Sequence, residues 1–253
     1  MNRIIIIQAR MNSTRLPGKV VKCVLNKPLL EYLIERLRRV TLADNFVIAT
    51  TDNKSAIPIV ELCKKHNVLY FQGDEDDVLS RYYYAAMAFN AETIIRITSD
   101  CPVIDPQIID NTIQFYFDCA KADYVANWLY NKELNKVKHS YPLGMSVEVF
   151  SINALYKAFI SAKTKQEREH VTPYIYLNPE LFNIFNYVKD NVFKKYRFTV
   201  DTFEDFELIK KIIETLYPSN PEFDLQDIVN LMNIYPEWHN INSHIEQTKL
   251  KKI

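Results

Sequence analysis

A run of four isoleucines at residues 4–7 constrains the fold of this 253-residue chain more than any other feature. A strand with β-branched apolar residues at every position is buried on both faces, as inner strands of parallel sheets are. The loop that follows, residues 8–19, contains Arg10, Arg15 and Lys19, two hydroxyl side chains and no acid. Ligands of open α/β sheets bind beyond the carboxyl ends of the strands, so this loop is suited to a polyanion such as a triphosphate. The alternative is a solvated loop whose cations pair with nearby carboxylates.

Apolar strand-like runs alternate with amphipathic helical stretches through the first half of the chain. The patterns predict strands at 4–7, 46–50, 68–71 and 93–97, and helices at 28–40, 57–65, 76–89 and 106–117. The less regular second half predicts short strands at 123–127, 146–150, 182–188 and 196–200, and helices at 151–160, 166–177, 203–217 and 225–234. We therefore expect one domain over residues 1–253, with an α/β fold: a Rossmann-like mixed, mostly parallel sheet with helices on both faces.

Composition excludes several classes of protein. Basic and acidic residues balance at 31 each, so no global field attracts the chain to nucleic acid or to an anionic membrane. No apolar run approaches the roughly 20 residues that span a bilayer, and the N-terminus has no signal-peptide pattern, so we expect a cytoplasmic protein. The three glycines, Gly18, Gly73 and Gly144, cannot form a G-x-G-x-x-G fingerprint, and there is no Walker loop. Phosphate binding must therefore depend on side-chain cations.

Two aspartates follow predicted strands. Asp100 comes after the strand at 93–97, and Asp201 comes after the strand at 196–200. Carboxylates at the same sheet edge as a triphosphate loop are suitable ligands for Mg²⁺, which also binds substrate phosphates. The alternative for each is a helix cap, because a helix is predicted shortly after both positions.

Several segments carry a resemblance to one enzyme family. The loop QARMNSTRLPGK at 8–19 resembles the signature loop of the SpsF-type spore-coat polysaccharide cytidylyltransferases, relatives of the acylneuraminate and deoxy-octulosonate cytidylyltransferases. The segments RITSDCP at 96–102 and VDTFED at 200–205 are similar to the family segments that supply two acidic metal ligands. The chain departs from the family pattern at Asn12, where glycine is usual, and at Phe203, where proline is usual. Further similar segments lie at 49–52, 73–82, 142–150 and 167–174.

The resemblance implies a fold of the nucleotide-diphospho-sugar transferase type, with a small protruding subregion at about 128–195 for the acceptor and for dimerisation. It implies a Mg²⁺-dependent homodimer that transfers CMP from CTP to an acidic sugar or similar hydroxylated acceptor, releasing pyrophosphate, in surface-polysaccharide synthesis. The implied catalytic residues are Arg10, Lys19 and Asp100, and the implied metal ligands are Asp100 and Asp201. Residues implied to bind the nucleotide are Gln8, Ala9, Arg10, Ser13, Arg15, Lys19, Thr51, Asp52, Gly73, Arg81 and Thr98. Residues implied to bind the acceptor are Tyr141, Gly144, Glu148, Glu169 and His170.

Other interpretations of these residues remain open at this stage. Arg81 is equally compatible with the solvated side of a helix, and His170 with a solvated helix face or a subunit contact. A glycosyltransferase on the same scaffold is a second function, for which the D-x-D segment at 74–76 would hold the metal. A non-catalytic dimeric binding module is a third, and the cationic loop with its two aspartates argues against it.

Overall fold

A computed structural model of the chain describes residues 1–131, 136–188 and 192–246. The strands are β1 (Arg3–Gln8), β2 (Cys23–Val24), β3 (Lys27–Pro28), β4 (Asn45–Thr51), β5 (Leu69–Gly73), β6 (Thr93–Thr98), β7 (Tyr124–Ala126), β8 (Trp128–Asn131), β9 (Lys136–His139), β10 (Glu148–Ser151) and β11 (Ile184–Asn186). The α-helices are α1 (Leu29–Leu37), α2 (Ile57–Lys65), α3 (Val78–Ala88), α4 (Pro106–Asp118), α5 (Ile152–Ser161), α6 (Lys165–His170), α7 (Pro173–Tyr176), α8 (Phe203–Leu216) and α9 (Leu225–Ile234).

Seven strands form one sheet in the order β11-β7-β10-β6-β1-β4-β5. Strand β1 pairs in parallel with β4 and with β6, and β4 pairs in parallel with β5. Strand β10 runs antiparallel to both of its neighbours, β6 and β7. The predicted mixed, mostly parallel sheet is therefore confirmed. The six parallel strands end at one edge of the sheet, where the loop after β1 also begins.

The isoleucine run explains why helices cover both faces of the sheet. Successive side chains of a strand point to opposite faces. Ile5 and Ile7 pack in a core cluster with residues of α1, α4, α8 and α9. Ile4 and Ile6 pack in a second cluster with residues of α3, α5 and α7. The three layers that result are those expected of an α/β fold.

Two predictions from the second half of the chain are wrong. Residues 196–200 form no strand, and the segment makes one isolated parallel bridge between Arg197 and Leu143. The helix predicted at 166–177 is broken into α6 and α7 by Val171, whose φ of 72° is incompatible with a right-handed helix. The pattern also missed two hairpins, β2–β3 and β8–β9.

The subregion implied at about 128–195 contains the hairpin β8–β9, helices α5 to α7 and strand β11. Residues 132–135 and 189–191 of that subregion lie outside the described residues. Among the helices that the structure does describe, none has the length and apolar character needed to cross a bilayer.

Candidate active site

The cationic loop delivers Lys19 to the two aspartates. Gly18, with φ of 67°, adopts a left-handed conformation that glycine tolerates, and a 3₁₀ turn over Lys19–Val21 begins directly after it. The Lys19 Nζ donates to Asp100 Oδ2 at 3.3 Å and to Asp201 Oδ1 at 2.9 Å. It also donates to the backbone carbonyl of Val200 at 2.7 Å. One ammonium thus joins two carboxylates that are about a hundred residues apart in sequence.

The environment of Asp100 favours its charged form. Its Oδ1 accepts from the Thr98 hydroxyl and from the Cys101 thiol, the latter at 3.4 Å. Burial acts to raise the pKa of Asp100, but the Lys19 ammonium and the Thr98 hydroxyl outweigh burial and hold that pKa below its ordinary value. Burial likewise acts to lower the pKa of Lys19, and the charges of Asp100 and Asp201 outweigh it and raise that pKa. Both groups are therefore charged at neutral pH.

Asp201 is bound by two guanidinium groups on its other oxygen. Its Oδ2 lies 3.2 Å from Arg15 Nη2 and 2.9 Å from Arg197 Nη2. Arg197 also forms a bidentate pair with the buried Asp205, at 2.8 and 3.0 Å. Asn242 donates to Asp205 Oδ1 at 2.8 Å. Sequence reasoning missed Arg197, although a charged residue inside an apolar alternating segment is a signal that its side chain has a buried partner.

The helix-cap alternative is wrong for both aspartates. Thr202, not Asp201, caps α8, and its side chain forms a capping box with Asp205. Asp105, not Asp100, caps α4. Neither carboxylate caps a helix, and both instead contact Lys19 of the cationic loop.

The oxygens around Lys19 fit a divalent cation in chemical type. Asp100 Oδ2, Asp201 Oδ1 and the Val200 carbonyl already surround one positive charge. Mg²⁺ takes oxygen ligands and often completes its shell with water and substrate phosphates. Within the described ranges, no group of three or more His, Cys, Asp or Glu side chains could hold a metal. A metal here would therefore depend on nucleotide phosphates for its remaining ligands.

Backbone hydrogen bonds fix the conformation of the cationic loop before Lys19. Ala9 is buried, and its backbone N–H donates to Ala49 O at 3.1 Å, which extends the contact between β1 and β4. The backbone N–H of Ser13 donates to Met11 O at 3.0 Å. The backbone N–H of Gly18 donates to the same Met11 carbonyl at 2.8 Å, so the loop closes on itself before Lys19.

A second group of implied nucleotide-binding residues lies where β4 and β5 end. The backbone N–H of Asp52 donates to Gly73 O at 3.0 Å, and Gln72 Nε2 donates to Thr51 O at 3.1 Å. Arg81 is buried rather than solvated, so that alternative is wrong. Its Nη1 donates to Asp74 O at 2.7 Å, while burial lowers the pKa of its guanidinium.

The Arg81 Nε is a buried donor with no partner among the residues that the structure describes. An unsatisfied buried donor costs free energy and requires an explanation, such as a ligand or a water that completes the site. Arg81 lies beside Gly73, where a Cβ would be 3.3 Å from Arg81 Cγ.

Glu75 connects the cationic loop to this second group. Its Oε1 accepts from Asn12 Nδ2 at 3.0 Å, and its Oε2 accepts from Asn53 Nδ2 at 2.6 Å. Asn12, which replaces the usual glycine of the family, therefore forms a contact that glycine could not make. Asp74 accepts the backbone N–H groups of the two residues that follow Glu75, both at 2.8 Å, which is the bonding of a turn rather than of a D-x-D metal site.

A buried polar network lies beside the cationic loop, on the opposite side from β4. Glu148, the first residue of β10, pairs with Arg96 and accepts from the Tyr124 hydroxyl. Its Oε1 also accepts from the Thr172 hydroxyl at 2.7 Å. Arg96 Nη2 donates to Gln8 Oε1 at 3.1 Å, so the last residue of β1 belongs to this network.

His170 ends α6 at the exposed rim of this network. Desolvation by the surrounding atoms lowers its pKa, and the nearby guanidinium groups of Arg96 and Arg10 lower it further. The carboxylates of Glu169 and Glu148 act in the opposite direction. Arg10 also lowers the pKa of Arg81, so its charge acts on both His170 and Arg81, whereas Arg15 contacts Asp201 and Lys19 contacts both aspartates.

Two other residues implied to bind the acceptor, Tyr141 and Gly144, are packed inside the protein. Tyr141 is buried in the core, and burial, with the neighbouring Tyr187, raises its pKa to about 12. Gly144 has φ of 99°, and a Cβ there would lie 2.5 Å from the Phe198 carbonyl carbon. The backbone N–H of Phe198 donates to Leu143 O at 2.7 Å, so Gly144 permits two segments to meet behind Asp201.

The sheet carries cations and carboxylates near the edge where its parallel strands end. Together with the solved structures that share this sheet, they define a nucleotidyltransferase of the nucleotide-diphospho-sugar type. A family model described as cytidylyltransferase matches residues 4–238. The chain therefore belongs to the cytidylyltransferase family. This assignment favours nucleotidyl transfer over the glycosyltransferase and over the non-catalytic module.

Two of the similar proteins cover nearly the whole chain. The spore coat polysaccharide biosynthesis protein SpsF of Bacillus subtilis is 36% identical over 245 residues, which are 94% of this chain and 97% of that protein. A solved cytidylyltransferase from Leptospira borgpetersenii superposes with a TM-score of 0.86 at 31% identity, covering 98% of this chain and 99% of its own. A CMP:2-keto-3-deoxy-manno-octonic acid synthetase complexed with CTP shares the fold, with a TM-score of 0.63 at 17% identity over 85% of this chain and 99% of its own.

Proposed function

We propose that this protein transfers CMP from CTP to a hydroxyl of an acidic sugar, with Mg²⁺ bound between Asp100 and Asp201. The observation that carries the proposal is the junction in which Lys19 contacts both Asp100 and Asp201 and Arg15 contacts Asp201, beside the edge where β1 and β6 end. A triphosphate bound here could accept hydrogen bonds from the Arg15 guanidinium and the Lys19 ammonium. It would also lie close to the carboxylate oxygens of Asp100 and Asp201, which could bind a metal.

The reaction needs charge stabilisation more than covalent catalysis. An oxygen of the acceptor forms a bond to the α-phosphorus, the bond from that phosphorus to the bridging oxygen breaks, and pyrophosphate leaves while the acceptor hydroxyl releases its proton. Arg10, Arg15 and Lys19 would stabilise the negative charge on the α-phosphate and on the leaving group. Mg²⁺ would supply further charge neutralisation and orient the phosphates.

The acceptor is proposed to bind on the Glu148 side of the loop. The guanidinium groups of Arg96 and Arg10 bring positive charge near His170, whose pKa is lowered mainly by desolvation and further by these two groups. An acidic sugar would place its carboxylate near these guanidinium groups. The resemblance to SpsF supports surface-polysaccharide synthesis as the use of the product. We also propose a homodimer formed through the subregion at about 128–195.

Pyrophosphate release tests the proposal directly. The protein is incubated with Mg²⁺, an acidic sugar such as a nonulosonic or deoxy-octulosonic acid, and each of the four nucleoside triphosphates in turn. We expect release that requires CTP, Mg²⁺ and an acceptor. Replacement of Asp100 by Asn should lower the rate by at least about a hundredfold, because an essential charge at the reacting centre is removed.

The exposed Asp118 provides the matched control for this experiment. Its Oδ1 accepts only from Gln114 on the surface of α4, at 2.8 Å, so Asp118→Asn should leave the rate unchanged. Comparable activity in Asp100→Asn and Asp118→Asn would refute the role of Asp100. No release with any nucleotide across the acid sugars would refute the proposed function.

A further inference from the structure

The ammonium of Lys19 occupies the position between the carboxylates that a divalent cation would take. It lies within 3.3 Å of Asp100 Oδ2, 2.9 Å of Asp201 Oδ1 and 2.7 Å of the Val200 carbonyl oxygen. The Lys19 side chain is only 12% exposed, so these contacts are shielded from solvent. The oxygens that could bind a metal are therefore already engaged by a cation of the chain itself.

The charges around this point are balanced without a metal. Three cations, Arg15, Lys19 and Arg197, face three carboxylates, Asp100, Asp201 and Asp205. A free divalent ion would add two uncompensated positive charges and would also have to displace the ammonium. Like charges in a partly buried site repel strongly because water screens them poorly.

A nucleotide triphosphate changes this balance. Its phosphates bring negative charge with the metal, so the complex of the two adds no excess of positive charge. Phosphate oxygens are also acceptors for lysine, and they can take the ammonium from the carboxylates. Lys19 lies in a 3₁₀ turn of only three residues that directly follows Gly18, a short element with little secondary structure to hold it against such a shift.

We propose that Lys19 closes the Asp100–Asp201 pair to free divalent cations, so that the metal enters only together with the nucleotide phosphates. This inference rests on the proposed function for the identity of the nucleotide. Lys19 then acts twice: it excludes an ion from the empty enzyme, and it binds phosphate once the metal has replaced it. Binding of metal and of nucleotide is coupled as a consequence, and the coupling is reciprocal.

Binding of Mn²⁺ alone tests this role without any catalytic turnover. Free Mn²⁺ is measured by electron paramagnetic resonance during titration of the full-length protein, with no nucleotide present. We expect Lys19→Met to bind Mn²⁺ at least about tenfold more tightly than the wild type, the factor that corresponds to one pKa unit of charge interaction. Mn²⁺ should also raise the melting temperature of Lys19→Met more than that of the wild type, because it binds only the folded state.

Two further variants separate site occupancy from general charge. Lys22→Met removes the same charge from the same segment, and Lys22 contacts the Phe206 ring rather than the carboxylates, so its Mn²⁺ affinity should match the wild type. Adding Asp100→Asn to Lys19→Met should abolish the gain. If Lys19→Met fails to fold, Lys19→Gln retains a hydrogen-bond donor and should show the same gain.

Equal Mn²⁺ affinity in the wild type and in the folded Lys19 variants would overturn the inference, as would an equal gain in Lys22→Met. Either result can occur in an enzyme that still releases pyrophosphate from CTP, which would leave the proposed function intact. A gain in Lys19→Met together with no turnover of any nucleotide by the wild type would refute the proposed function alone.

Discussion

Replacing Gly144 by alanine should damage both stability and activity, because this residue lies where two backbone segments meet. A Cβ at Gly144 would be 2.5 Å from the Phe198 carbonyl carbon, 2.6 Å from its oxygen and 2.7 Å from the Thr199 nitrogen. All three are backbone atoms, so no side-chain rotation can relieve the clash. The φ of 99° adds strain for any residue other than glycine.

The expected loss of stability follows from these two effects. A left-handed backbone costs an L-residue about 1–2 kcal/mol, and overpacking of a close contact costs about 1–3 kcal/mol. Together they predict a fall of about 2–5 kcal/mol in the free energy of unfolding. The displaced segment continues into Val200, whose N–H donates to Asp100 O at 2.8 Å, and then into Asp201. A shift of about 1 Å at reacting groups lowers rate by about a hundredfold, which we expect for kcat/KM.

Urea unfolding and pyrophosphate release measure the two effects, with Gly18→Ala as the matched control for stability. Gly18 also has a positive φ, of 67°, but a Cβ there would approach nothing closer than Met11 Cε at 3.6 Å. Gly18→Ala should therefore lose only the backbone strain of about 1–2 kcal/mol. Equal losses of stability in the two variants, or a Gly144→Ala enzyme with normal kcat/KM, would refute the reasoning.

Three other variants test separate parts of the structure. Arg197→Met leaves the buried Asp205 without its bidentate partner, so urea unfolding should show a loss of about 3–5 kcal/mol, whereas the exposed Arg38→Met should change stability by less than about 0.5 kcal/mol. Desolvation and two nearby guanidinium groups lower the pKa of His170, so the unfolded chain binds this proton more readily than the folded protein does. As pH falls below about 6.5, the wild type should therefore lose melting temperature faster than His170→Gln, and parallel pH profiles would contradict this expectation. Thr202→Ala removes the capping box of α8 and should cost about 1 kcal/mol in urea unfolding, with an unchanged midpoint as the contrary result.

The first half of the fold could be predicted because its signals are local. Buried strands such as the isoleucine run and amphipathic helices such as Ile57–Lys65 have distinct periods that can be recognised without knowing which elements they pack against. Some helix starts later in the chain also have a local signal, because Thr202 with Asp205 and Asp224 with Asp227 form capping boxes. The contact of Lys19 with Asp100 agrees with the rule that parallel strands end at one edge, because β1 and β6 both end there, whereas Asp201 reaches Lys19 from a segment outside the sheet.

The errors arise where a distant partner overrides the local pattern. The alternation at 196–200 indicates a strand, but Arg197 pairs with Asp201 and Asp205, and the segment lies against Leu143 outside the sheet. Val171 adopts a positive φ with its side chain fully buried in the second core cluster. Pro173, inside the predicted helix at 166–177, was a signal that could have found the break.

Arg81 shows the limit of charge as a predictor of exposure. The sequence places it on a helix, where a charged residue most often faces water. The structure instead buries it against Gly73 and the Asp74 carbonyl, a partner that lies before the helix begins. Gly73 leaves room for the aliphatic part of the Arg81 side chain, because it has no Cβ of its own.

The reversed direction of β10 has a consequence for how such enzymes diversify. Because β10 runs against its neighbours, its first residue, Glu148, lies at the edge where the other strands finish. Both ends of the connection from β7 to β10 therefore open onto the same rim, and everything between them, including the β8–β9 hairpin, is inserted there. Replacements within the β8–β9 hairpin can remodel this rim while the ladder of β1, β4 and β5 keeps its register, whereas Leu143 and Gly144 contact the segment before Asp201 and are constrained. Changes in this hairpin can thus alter the rim while the strands that lead into the cationic loop and into Asp100 stay the same.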